Sequence, residues 1–176
     1  MKPKPGKTKA AKKLWNSGSG RLLIAERLWL NTHRLFSTYL QAPVLSNMWW
    51  PINLKKVKTM DNKIVSKEAH EKIQSLWLNT TLGILGALSY RQDTRGAWIK
   101  FKKETLKMLP VIDLKKLKKT QIDELIRTFD NLSSKEFSPF PEQFLEASNL
   151  KGLRYELDKN VLTIITGKNL DLRTLY

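Results

Sequence analysis

Arg91, Thr94, Arg95, Trp98, Lys100, Lys102 and Lys103 lie in one short stretch of the chain, and together they could hold a polyanion. An arginine fork can bond guanine O6 and N7 as a pair, and asparagine can do the same for adenine. Lysine neutralises phosphates without reading sequence. Arg34, Asn47 and Trp49 offer the same chemistry from an earlier segment. For Trp49, Trp50 and Trp98 the alternative is packing in a core or on an edge strand, and Thr94-Arg95-Gly96 could equally be a structural turn in which Gly96 supplies a positive φ.

Bond-making chemistry has little material. There is no cysteine, which removes disulfides, thiolate metal sites and cysteine nucleophiles. The two histidines, His33 and His70, are far apart in the chain and do not form a metal-ligand pattern. His33 is expected in a strand as a polar or nucleic-acid contact, and His70 on a solvated helix surface. No Gly-x-Ser-x-Gly, phosphate-loop or His-Glu-x-x-His pattern occurs. The sparse carboxylates mostly stand three or four residues from a lysine or arginine. Arg154 and Asp158, for example, read as a surface pair on the last helix. The chain alone is therefore expected not to be an enzyme.

Charge points toward the partner. The 176 residues carry 32 Lys plus Arg against 16 Asp plus Glu, a formal net charge of +16. Self-repulsion on that scale favours a polyanionic partner, and nucleic acid leads over an anionic membrane surface or a merely soluble, lysine-rich protein. Among nucleic acids the expected partner, on the resemblance given below, is double-stranded DNA. No run approaches the roughly 18 apolar residues of a membrane span, and no signal-peptide pattern is present. The expectation is a cytoplasmic protein that does not enter a membrane.

The elements that must position these side chains form an α+β pattern. Residues 1–13 alternate Lys with Pro, Gly, Thr and Ala and read as a flexible basic arm ahead of a single domain over residues 14–176. Residues 22–30, 33–40 and 44–52 read as three strands, with turns at Asn31-Thr32 and Gln41-Ala42-Pro43 and with Pro51 at a sheet edge. One central helix is expected over residues 66–90, capped by Ser66 and buried on two sides. Gly83 and Gly86 would permit close packing there. A basic loop and strand over 91–103 follow, then a helix with a Thr120 and Asp123 capping box, a loop over 133–143, and a last helix near 150–166 closed by Gly167. In outline this is a small sheet from the first half packed with a buried central helix and C-terminal helices.

Several separated runs, in collinear order, resemble one family. They are Ser17-Gly18-Ser19-Gly20-Arg21, Asn31-Thr32-His33-Arg34, and Leu45-Ser46-Asn47-Met48-Trp49-Trp50-Pro51, followed by Leu76-Trp77-Leu78-Asn79-Thr80-Thr81-Leu82-Gly83 and Thr94-Arg95-Gly96-Ala97-Trp98. Lys102-Lys103, Leu109-Pro110-Val111-Ile112-Asp113 and Arg154-Tyr155-Glu156-Leu157-Asp158 continue the series. This set looks like the C-terminal, target-recognising region of bacterial and archaeal adenine-specific DNA methyltransferases of restriction-modification type. The resemblance implies a target-recognition-like fold and a DNA-binding module that is not catalytic alone. Its S-adenosylmethionine would sit on a separate catalytic subunit or domain, because this chain has neither the cofactor loop nor any Pro-Pro dipeptide. The other readings are a scaffold subunit of such a complex and a general basic RNA-binding protein.

Overall fold

The computed structural model describes residues 6–92, 94, 96 and 98–176, and its described residues form an α+β fold. Helix α1 (Thr8–Gly18) leads into an antiparallel sheet of β1 (Ser19–Ala25), β3 (Ser37–Leu45) and β4 (Trp49–Ile52), in the order β3-β1-β4. The basic arm is thus helical from Thr8 onward, although α1 buries none of its residues.

β1 is the central strand, and it carries Leu22, Leu23, Ile24 and Ala25 fully buried as a continuous apolar run. The edge strands explain where prolines are tolerated. Pro51 pairs with Leu23 on edge strand β4, as its type suggested. The turn expected at Gln41-Ala42-Pro43 is instead part of β3. Val44 pairs with Gly20 and Tyr39 with Leu22, so residues 40–43 bulge opposite Arg21 and no ladder bond is asked of Pro43. The real turn comes later, where Ser46 Oγ accepts from the backbone N–H groups of Met48 and Trp49 at 3.1 Å each.

At Glu26 the chain leaves this sheet. Its next two residues, β2 (Arg27–Leu28), pair with β7 (Ile99–Lys100), and a third small sheet joins β5 (Val57–Lys58) to β6 (Ile64–Val65). The run read as one strand over 22–30 therefore serves two sheets.

The central helix is two helices. α2 (Lys67–Leu78) starts at Ser66, whose side chain accepts from Ala69 N–H, and α3 (Thr81–Leu88) starts afresh because Thr80 Oγ1 accepts from Gly83 N–H at 3.0 Å. Gly83 allows the sharp corner, since a Cβ there would stand 2.2 Å from the Trp77 carbonyl oxygen. Gly86 likewise lets Pro110 approach, 2.6 Å from where a Cβ would be. Of the two apolar sides expected, the second is covered only in part: Leu78 is buried, whereas Leu82 and Leu85 face out.

Three more helices complete the chain: α4 (Lys119–Leu132), α5 (Phe140–Ser148) and α6 (Gly152–Thr166). α4 buries Ile122, Leu125 and Leu132 on the face expected. Its first turn is closed by Gln121, which accepts from Lys118 N–H at 3.0 Å, rather than by Thr120 and Asp123. α5 falls partly in the segment read as a loop, with Pro139 and Pro141 at its start, where a missing N–H costs nothing. α6 ends at Gly167 with φ +68°.

The apolar side chains form two groups. One gathers Ile73, Leu76, Leu114, Leu117, Leu125 and Val161 between α2, α4 and α6; the other gathers Ile24, Phe36, Ile84, Phe101 and Phe140 around β1 and α3. Each fully buried Leu, Ile or Phe contributes about 1.5–3 kcal/mol relative to exposure. Trp77 packs against both groups and fixes itself by donating from Nε1 to Pro110 O at 2.7 Å.

Between them lies a polar hub at the α2–α3 corner. The Asn79 side chain accepts from Phe36 N–H (2.8 Å) and Ser37 N–H (3.1 Å) and donates to Ser37 O (2.8 Å) and Ser75 O (3.0 Å). Arg154 donates to Asn79 O and to Gln143 Oε1 (2.6 Å), with its guanidinium 5.7 Å from the Phe140 ring centroid and 5.2 Å from that of Phe144. Asp158 accepts from Thr81 N–H, Thr81 Oγ1 and the Tyr176 hydroxyl. Arg154 and Asp158 are both at 0% exposure, so the surface pair expected from their spacing is instead the buried clasp of the fold. Burial pushes the Asp158 carboxyl up from its ordinary range against the pull of its donors, and it pushes the Arg154 guanidinium down.

Candidate nucleic-acid interface

β2 and β7 set the basic residues of the site side by side. Arg27 lies directly opposite Lys100, and the exposed Lys102 and Lys103 follow just beyond β7. On the other side of β7, Gln92 N–H donates to Lys100 O at 2.8 Å, which folds the basic loop back on the strand. Thr94 donates its hydroxyl to Trp98 O, closing the loop's tip. Arg91 stays at the rim of the α3 end, with Nη1 3.3 Å from Leu88 O. Arg95, the arginine expected to read base edges, lies outside the described residues together with Asp93 and Ala97.

Trp98 projects from this frame at 40% exposure. Its ring lies 5.1 Å from that of Trp29, tilted by 55°, and meets the His33 ring edge-on at 6.1 Å. His33 sits in a turn rather than a strand: its N–H donates to Trp29 O at 2.9 Å, and Trp29 N–H reaches its Nδ1 at 3.1 Å. Trp29 Nε1 is buried and has no hydrogen-bond partner among the described residues.

Glu26 ties the neighbouring loop to the same place. Its N–H donates to no sheet partner but to Met48 O at 3.0 Å, and its carbonyl accepts from Phe101 N–H at 3.0 Å. The β3–β4 turn, with Asn47 exposed at its tip, is thereby held beside β7. Next to it an open groove of about 430 Å³ is lined by Thr32, His33, Arg34, Thr38 and Trp49. Trp49 also packs against the β1 core, so it contributes a wall more than a free stacking face.

Two of the site cations have acidic neighbours. Arg34 pairs with Glu136, and Lys100 Nζ stands 3.8 Å from Glu26. Exposed pairs of this kind contribute about 0–1 kcal/mol, so a phosphate can displace the carboxylate at small cost. Arg34, Asn47, Trp49, Trp98 and Lys100 are thus gathered around Glu26 and Trp29, while Arg91, Thr94, Lys102 and Lys103 flank them.

Sequence reasoning missed Arg27, Trp29 and the place of His33. The signal was present in Trp29-Leu30-Asn31-Thr32-His33, where an aromatic and a histidine stand four apart across a turn. The β2–β7 pairing that exposes their use joins residues more than seventy positions apart. A second cavity, of about 130 Å³ and lined by Ser37, Ser75, Asn79 and Phe129, offers less, because its polar groups bond to one another. Among the described residues no three His, Asp or Glu side chains gather as a metal site requires, and no helix is long and apolar enough to cross a membrane.

Comparison with protein-family models, with curated proteins and with solved structures finds no match. The arrangement itself is therefore the ground for a functional reading: an α+β fold in which exposed Trp98, tilted against Trp29 and edge-on to His33, is framed by arginine and lysine.

Proposed function

We propose that the chain is a DNA-binding target-recognition module, non-catalytic alone, that works with an adenine-specific methyltransferase subunit carrying S-adenosylmethionine. The observation that supports it most is Trp98, exposed and backed by Trp29 and His33, with Arg27 and Lys100 paired beside it. Cations hold the phosphates, and an aromatic face stands where a base leaving the stack can be received. The methyltransferase partner follows from the collinear resemblance of the sequence runs.

The test is duplex binding as a function of salt. With about six phosphate contacts, affinity falls roughly a thousandfold between 50 and 200 mM salt. Lys102→Gln weakens binding to every sequence and makes the salt dependence shallower. Absence of duplex binding at low salt overturns the reading, and preferential displacement of the duplex by single-stranded RNA turns it toward RNA.

A second reading, a docking subunit, is favoured by one feature: Leu82 and Leu85 on α3 and the nearby Val111 are exposed, with Leu85 at 51% and Val111 at 58%. On that reading a complex with the catalytic subunit forms without DNA and is abolished by Leu85→Glu.

A further inference from the structure

A second basic surface lies at the opposite core. The β5–β6 hairpin and the 3-10 turn Leu114–Lys116 are locked together: Met60 N–H donates to Leu117 O at 2.9 Å, and Lys119 N–H donates to Asp61 Oδ1 at 3.1 Å. Their apolar residues, Val57, Val65, Leu114 and Leu117, pack into the α2–α4–α6 core, whereas the Trp98 site stands over the β1 core. This locking brings Lys58 and Lys63 from the hairpin next to Lys115, Lys116 and Lys118 from the turn, all of them exposed.

Among the described residues none of these lysines has a carboxylate within ion-pair distance. The carboxylates nearby are already engaged. Asp61 accepts from the Thr59 hydroxyl at 2.6 Å, Asp113 from Lys115 N–H at 3.1 Å, and Asp123 pairs with Lys119. The lysines outnumber these carboxylates, so the corner keeps an excess of positive charge that a row of phosphates can neutralise. The hairpin and the turn contain no arginine and no aromatic residue. The chemistry therefore neutralises charge without reading bases.

We propose that this lysine corner is a sequence-blind surface for nucleic-acid backbone phosphates, separate from the Trp98 site. It extends the nucleic-acid reading above and rests on it. An anionic lipid surface is the less favoured occupant, because the hairpin and the turn include no amphipathic helix to insert and carry only Met60 and Ile64 as exposed apolar side chains.

The experiment compares the full chain with three variants: Lys58, Lys63, Lys115 and Lys116 all changed to Gln, the same four changed to Arg, and Trp98→Ala. Affinity for duplexes of several sequences is measured across a salt series, alongside binding to vesicles containing anionic lipid. The Gln variant is expected to bind more weakly and by the same factor on all sequences, with the slope of log affinity against log salt shallower by about 0.9 for each phosphate it no longer neutralises. The Arg variant is expected to keep both affinity and slope, because charge alone is required. An unchanged slope in the Gln variant overturns the lysine corner while leaving the Trp98 site standing. Weakened binding in the Gln variant with none in Trp98→Ala supports the corner and overturns the Trp98 site. Undetectable duplex binding by the unaltered chain overturns both, and lysine-dependent vesicle binding with unchanged DNA binding assigns the corner to lipid instead.

Discussion

Thr81 donates to Asp158 twice, from its backbone N–H at 2.7 Å and from its hydroxyl at 2.6 Å. The first turn of α3 is therefore fastened to α6 by a carboxylate that water does not reach. Asp158→Ala leaves both Thr81 donors and the Tyr176 hydroxyl without their acceptor, and it removes the nearest counter-charge of buried Arg154. A loss of about 3–5 kcal/mol is expected in urea unfolding, with the slope against denaturant unchanged. A loss below about 1 kcal/mol would show that Asp158 is not a clasp.

Arg154→Lys tests the other half of the hub. A lysine ammonium cannot reproduce the planar fork that reaches Asn79 O and Gln143 Oε1 while lying over the Phe140 and Phe144 rings. The expected destabilisation is about 2–3 kcal/mol although the charge is retained. Equal stability of the lysine variant would mean that charge, not the fork, is what the site needs.

Tyr176 gives a pH signature. Burial first, and then its bond to Asp158, push the phenol well above the ordinary tyrosine value. A group raised in the folded state contributes stability that is complete below its unfolded value of about 10 and is lost as pH rises beyond it. Of the four tyrosines, one is expected to ionise only as the protein unfolds, seen by ultraviolet absorbance of tyrosinate, and Tyr176→Phe removes that step. Four tyrosines titrating together in the folded protein would contradict it.

Gly83→Ala places a methyl group 2.2 Å from the Trp77 carbonyl, with the Leu78 backbone close behind. Neither neighbour is a flexible side-chain end, so the corner must open. A cost of about 1–3 kcal/mol is expected by thermal unfolding, the reverse of the gain alanine brings to an ordinary helix interior.

Trp98→Ala separates binding from folding. It removes the pairing with Trp29, worth about 0.5–1.5 kcal/mol in stability, and leaves the rest of the core in place. DNA affinity is expected to fall several-fold beyond any effect on folding, while Trp98→Phe retains most of it. Equal affinity of all three proteins would mean that Trp98 only shields Trp29.

How much of this was legible in the sequence depended on how far each residue's partners lay along the chain. α4 and α6 repeat their apolar positions every three or four residues, and Gly167 marks an end that needs no distant partner. The break at Asn79-Thr80 was hidden, because its causes are the Thr80 cap and the distant residues Ser37 and Arg154. Arg154 and Asp158 show the limit most sharply. Four residues apart on a helix, they have the spacing of a surface ion pair, and only the packing of α5, α6 and the α2–α3 corner reveals that they are interior. The basic character of the loop was legible from its residue types, whereas the place of Trp29 and Arg27 beside it required the β2–β7 pairing.

The hub at Asn79 and Thr81 also sets an order of events during synthesis. The donors and acceptors at the α2–α3 corner are made early, but Arg154 lies 75 residues after Asn79 and Asp158 lies 77 after Thr81. Until α6 leaves the ribosome, the corner has polar groups that only water can satisfy. The first half of the chain can form its sheet and helices in turn, yet it cannot close them into a dry interior. The corner formed first is locked by α6, a helix made long after it.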